Sequence, residues 1–195
     1  ATFEEAIAIL EEFIGTDTGD TFQYTAVISH ELVSIYDTLL DQHTGATAAY
    51  GLRKLRNAYS GSCIIVRRDG ASPGSQAIGF NASGELDTTA IISFCGSNNG
   101  FVTRWYDQSG NSNDLVQNST TAQPKIYNGS SIEQLNSKPA LLFDGSNDTM
   151  AVDTNFDANE NVNECVVAWV GSITNAGSGN AVVSHWSSTT ANQVF

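Results

Sequence analysis

The chain has 195 residues, the length of one large domain or of a small domain with a terminal extension. It is 41 % apolar but only 15 % charged, so Asn, Gln, Ser, Thr and Gly must supply the polar surface, a mixture that suits turn-rich β structure better than a helical bundle. Eight Lys and Arg against 21 Asp and Glu leave a net charge of −13, which repels phosphate backbones and anionic bilayers, and no run of about 18 apolar residues is present to span a membrane.

The first segment, Ala1-Thr2-Phe3-Glu4-Glu5, lacks the basic start and apolar run of a signal peptide. Thr2 and Glu5 have capping-box spacing. Phe3, Ile7, Leu10 and Ile14, widened by Phe13, form an apolar stripe that predicts an amphipathic helix stopped by Gly15. A helix this short is unstable alone, so its stripe must be covered, either by its own domain or by another subunit. Gly15 to Asp20 reads as a linker, Phe22 to Ile28 alternates as a strand, and Leu32 to Leu40 returns to helical spacing.

From Ala46 the texture changes. Ala46–Ala58 predicts a short helix with Leu52 and Leu55 inward and Arg53, Lys54 and Arg56 in solvent. Cys63–Arg68 follows as a β run closed by Asp69-Gly70. Further strands are expected at Gln76–Phe80, Gly100–Tyr106, Asp114–Val116, Pro139–Phe143, Met150–Val152, Cys165–Val170 and Ala181–Trp186, with a short helix over Leu86–Phe94 capped by Asp87 or Thr88. Between them lie Asn-, Gly-, Ser- and Asp-rich turns. Many short strands at turn-marked intervals predict an antiparallel sandwich, and the end at Gln193-Val194-Phe195 reads as the middle of a strand.

Cys63, Cys95 and Cys165 are far apart and lack metal-site spacing, so they read as small core residues, with one disulfide plus one free thiol as the alternative. His30, His43 and His185 are scattered and match no catalytic spacing. Asn81, Asn118, Asn128 and Asn147 open Asn-x-Ser/Thr triplets, which matter only in a eukaryotic secretory setting.

Several ordered motifs carry a family resemblance. Ala48 to Arg56 with Ala58-Tyr59-Ser60-Gly61, then Val66-Arg67-Arg68 and Gly79-Phe80, lead to Phe101-Val102-Thr103-Arg104-Trp105-Tyr106-Asp107-Gln108-Ser109-Gly110-Asn111. Gln123–Ile126 and Pro139–Gly145 continue the series. Over about residues 39 to 195 this resembles the concanavalin A-like jelly rolls of arabinofuranosidase B-type catalytic domains and of LamG-like domains in bacterial and phage surface proteins. The resemblance implies a mainly β, antiparallel sandwich (residues 39–195) preceded by a short helical attachment segment (residues 1–38).

The residues of the central motif have their own reading. Asp107 is expected to brace the turn that follows it, with Ser109-Gly110-Asn111 supplying left-handed positions. Asp144, Asn147 and Asp148 form a second oxygen-rich turn, explained by turn chemistry and compatible with calcium. Retaining glycoside hydrolysis needs two carboxyls about 5 to 5.5 Å apart. The resemblance implies that the catalytic pair belongs to later motifs, and Asp107, Asp114, Glu133 and Glu164 carry no pairing signal, so no catalytic residue is assigned. The resulting expectation is a homo-oligomeric structural subunit of a virion or extracellular surface, such as a phage fibre, spike or capsid-associated protein. Phe3, Ile7, Leu10, Phe13 and Ile14 would mediate its assembly with other subunits. The loops of Asn98, Asn99, Asn111, Asn113 and Asn147 would contact a host glycan, with no cofactor and no nucleic-acid partner. The alternatives are an arabinofuranosidase-like glycoside hydrolase fragment and a secreted carbohydrate-binding module.

Overall fold

A computed structural model describes residues 38–152 and 168–173, together with the backbone of Ser184–His185 and Gln193–Val194. All of these belong to the second of two compact units, Thr38–Phe195. The expected N-terminal helix with Phe3, Ile7, Leu10, Phe13 and Ile14, the strand from Phe22, most of the helical spacing after Leu32, and Cys165 lie outside the described residues.

The main sheet has six antiparallel strands: β1 (Ile64–Arg68), β2 (Gly74–Ile78), β3 (Asn99–Trp105), β4 (Leu115–Val116), β5 (Lys125–Asn128) and β8 (Ala151–Val152). Its order is β2-β1-β3-β4-β8, and β5 pairs with the start of β3 beside β4. Two further pairs are two-stranded: β6 (Gln134–Leu135) with β7 (Lys138–Pro139), and β9 (Ser184–His185) with β10 (Gln193–Val194). The mostly β, antiparallel class expected from composition is therefore observed.

Side-chain alternation fixes which face of the sheet is dry. Ile64 and Val66 on β1, Gly100 and Val102 on β3, and Ile126 on β5 are buried on the inner face, whereas Ile65, Arg67, Phe101 and Lys125 remain half-exposed. Helix α2 (Thr88–Cys95) follows a much shorter α1 (Leu39–Gln42) and lies on the inner face, adding Ile91 and Cys95 to the core with Leu86 and Ile78. Its start matches the expected cap: the Asp87 carboxylate accepts the Ala90 amide at 3.0 Å. Gly96 ends it at φ 59°, where its N–H donates to Ile92. Cys63 and Cys95 are buried free thiols, in keeping with their reading as core residues, and burial pushes the Cys63 thiol up to about 12.

Three expectations need correction. Residues 46–58 do not form a helix; they run irregularly, with Arg53 bridging Glu85 and the Leu86 and Lys54 amides donating to Leu52 and Gly84. Leu52 does pack against the core and Leu55 is half-buried, but side chains from the turn after β3 take the backbone groups that a helix would use. The expected strand over 139–143 shrinks to β7 plus an isolated bridge between Leu142 and Lys125. The segment 168–170 is irregular rather than extended in a sheet. Strand β5 was hidden because Gln123-Pro124 precedes it and it ends at Asn128 before Gly129, leaving only a short apolar stretch.

Candidate functional site

The longest motif of the sequence folds into the turn after β3. Trp105 closes the strand, stacked at a tilt 6.0 Å from Tyr50. Asp107 is 4 % exposed, and its two carboxylate oxygens are filled from within the chain. Oδ1 accepts the Ala49 and Ser109 amides, both at 2.8 Å. Oδ2 accepts the Ser109 hydroxyl at 2.6 Å and the Asn113 amide at 3.1 Å. Burial works against the charged form, but these hydrogen bonds from Ser109, Ala49 and Asn113 outweigh it and hold the carboxyl below its usual range. A carboxylate so occupied has no lone pair aimed at a substrate. The expected turn-bracing role is what the geometry shows. The left-handed positions fall on Gly110 (φ 99°) and Ser112 (φ 60°).

Gln108, the next residue, is fully buried. Its Oε1 accepts the Leu55 amide at 2.8 Å, and its Nε2 donates to the Gly51 and Arg53 carbonyls at 3.0 Å each. Together Asp107 and Gln108 fasten the irregular segment 49–55 to the end of β3. The sequence marked Asp107 because an acidic residue before Ser-Gly is a familiar turn signal; nothing comparable marks a glutamine. The Arg104–Asp114 ion pair at 2.9 Å, with the Asp107 amide donating to Asp114 at 3.0 Å, secures the other side of the turn.

The five asparagines expected at a glycan site are not gathered into one surface. Asn98 precedes and Asn99 begins β3, whereas Asn111 and Asn113 lie beyond its far end, about 20 Å away at 3.3 Å per strand residue. Each of these four side chains donates within the protein. Asn98 reaches the Cys95 carbonyl and Asn99 the Asp69 carboxylate. Asn111 serves Ala46 and Thr47, and Asn113 also serves Thr47. Asn147 is exposed on the Asp144 turn. In that turn Asp144 Oδ1 accepts the amides of Ser146, Asn147 and Asp148, and Asp148 accepts the Asp144 amide at 2.9 Å. The amide bonds from Ser146 and Asn147 hold the Asp144 carboxyl below its usual range. Burial, with the negative Asp144 nearby, raises that of Asp148. Among the described residues no group of three or more His, Cys, Asp or Glu side chains is arranged to hold a metal.

A cleft of about 400 Å³ opens on the outer face of the main sheet. Register builds its floor: Arg67 pairs with Phe101 across β1–β3, Phe101 with Lys125 across β3–β5, and Lys125 bridges Leu142. The Arg67 guanidinium lies 4.9 Å, and the Lys125 ammonium 5.9 Å, from the centre of the Phe101 ring. Arg67 is held in place by Gln123 Oε1 at 2.7 Å. Thr120, Thr121, Asp144 and Asp148 complete the walls. The alternation along β3 puts Phe101 on the polar face, and β5, which the sequence reading did not foresee, puts Lys125 beside it. No helix among the described residues is long and apolar enough to cross a membrane.

The family model for the catalytic domain of α-L-arabinofuranosidase B matches residues 35–180. Among solved structures, the chain is similar to a GH54 α-L-arabinofuranosidase soaked with a cyclic sulfate inhibitor and to an arabinofuranosidase complexed with arabinofuranosyl-α-1,2-xylobiose. It is similar also to a glutamate-to-glutamine mutant of a GH54 enzyme soaked with 4-nitrophenyl α-L-arabinofuranoside. Each is 34 % identical with a TM-score of 0.35, over 38 % of this chain and 16 % of the other. The chain thus spans about one-sixth of the solved structures it matches. No curated protein matches it. With three-quarters of its length inside the family model, this chain belongs to the α-L-arabinofuranosidase B catalytic-domain family.

Proposed function

We propose that the chain is part of an arabinofuranosidase-like glycoside hydrolase domain, built on a concanavalin A-like β-sandwich and directed at arabinofuranosyl-bearing glycans. The family match over residues 35–180 carries this reading, and it favours the hydrolase over a virion structural subunit, for which neither the fold nor the comparisons speak. In this reading Asp107 and Gln108 are positioning residues: they fix the 49–55 segment and the turn after β3 but touch no substrate. The acid and nucleophile demanded by retaining chemistry are not assigned to Asp107, which is fully engaged, nor to Asp114, which is paired with Arg104.

Turnover of 4-nitrophenyl α-L-arabinofuranoside by the natural protein that carries this chain tests the proposal. Release of 4-nitrophenol above the uncatalysed rate is expected. No release, with no binding of arabinofuranosyl oligosaccharides, would overturn it.

A further inference from the structure

We propose that the outer-face cleft is a saccharide subsite that holds one neutral sugar residue of the glycan. The inference rests on the hydrolase reading and adds where in this chain a sugar is bound. The first support is what the cleft excludes. Arg67, Lys125 and Asp148 are half-buried on this face, and covering them with an apolar layer would strip hydration from charged groups, a cost that the attraction between Lys125 and Asp148 and the Arg67–Gln123 hydrogen bond offset only in part. The face is therefore suited to a polar ligand and poorly suited to a second apolar sheet.

The second support is the charge arrangement. An anion would meet Asp144 and Asp148, and a cation would meet Lys125. A neutral, hydroxyl-rich molecule suits both walls. The third is the hydrogen-bonding capacity left open. Among the described residues Lys125 Nζ makes no hydrogen bond, only its approach to the Phe101 ring and a longer-range attraction to Asp148, and Asp148 spends Oδ2 on the Asp144 amide, leaving Oδ1. A donor and an acceptor thus face a floor of Phe101 and an exposed Leu142. Sugars are recognised by this pairing: hydroxyls to charged groups, the C–H face to an apolar surface. A volume of about 400 Å³ falls within the usual range of small-ligand clefts, roughly 300–1,000 Å³.

The test is calorimetric titration of arabinofuranosyl-α-1,2-xylobiose into the natural protein and into its K125M and D148N variants, each checked for an unchanged melting temperature. Asn at 148 keeps an acceptor for the Asp144 amide, so the turn survives while the open carboxylate oxygen is lost. Each variant is expected to bind about tenfold more weakly, the usual consequence of losing a hydrogen bond to a charged group. Binding by the natural protein that both variants retain in full would overturn the subsite and leave the hydrolase reading standing. Absence of both binding and nitrophenyl arabinofuranoside turnover in the natural protein would overturn both.

Discussion

Replacing Gln108 with Leu keeps the volume of the side chain and removes every polar atom of the buried amide. The Leu55 N–H and the Arg53 carbonyl then lose their Gln108 partner, and the Gly51 carbonyl keeps only the weaker approaches of Trp105 Nε1 at 3.4 Å and Cys63 Sγ at 3.3 Å. At about 1 kcal/mol for each hydrogen bond lost, and more where the group stays dry, the expected destabilisation is roughly 3 kcal/mol. For a chain of this size that lowers the melting temperature by ~6–12 °C. Gln108→Glu keeps shape and size but points an oxygen at the Gly51 and Arg53 carbonyls. Burial and these carbonyls raise the folded-state pKa of the new carboxyl above its unfolded value of about 4.3. The native state then holds the proton more tightly, so the penalty is small below about pH 4.3 and grows as pH rises towards the raised pKa. Urea denaturation at pH 4, 6 and 8 reads both effects. An unfolding free energy for Gln108→Leu within about 0.5 kcal/mol of the parent, or a Gln108→Glu variant insensitive to pH, would refute the claim that this amide anchors segment 49–55.

Asp107, with its pKa held low in the folded state, contributes stability that is complete above its unfolded pKa of about 3.9 and is lost as pH falls through the depressed folded value. Asp107→Asn should therefore be less stable than the parent at pH 7, with the gap narrowing in acid titrations followed by circular dichroism. A gap independent of pH would contradict this. Gly100→Ala places a methyl 3.0 Å from Cys95 Sγ and 3.1 Å from Val66 Cγ1, so overpacking of about 1–3 kcal/mol is expected in chemical denaturation; a neutral result would mean the inner face is looser than described. Cys63, with no exposed surface and its pKa raised to about 12, should resist a disulfide-forming thiol reagent until the protein is unfolded. Rapid labelling of Cys63 in the folded protein, mapped by mass spectrometry, would contradict its burial.

Much of the sheet was legible because its inner strands follow simple rules. Ile64 and Val66 alternate with Ile65 and Arg67, and Asp87 sits one residue before the helix whose Ile91 and Cys95, four residues apart, enter the core. The bracing role of Asp107 was legible for the same reason: it is a local interaction, satisfied largely within six residues of itself. What the sequence concealed is long-range. Ala46–Ala58 has helical spacing at Leu52 and Leu55, yet Gln108, more than fifty residues on, takes its backbone groups. Propensity has no term for such a partner. The cleft was hidden likewise, because Phe101, Lys125 and Asp148 meet only through strand register and a turn. The engagement of Asn111 and Asn113 was hidden for the same reason: both amides serve the Thr47 carbonyl, more than sixty residues earlier in the chain.

The central claim is that this chain serves hydrolysis of arabinofuranosides. The most direct measurement is the steady-state rate of 4-nitrophenol release from 4-nitrophenyl α-L-arabinofuranoside by the natural protein, alongside 4-nitrophenyl β-D-xylopyranoside. The account predicts saturable turnover of the arabinofuranoside and none of the xylopyranoside. Equal rates on both, or none on either, would contradict it.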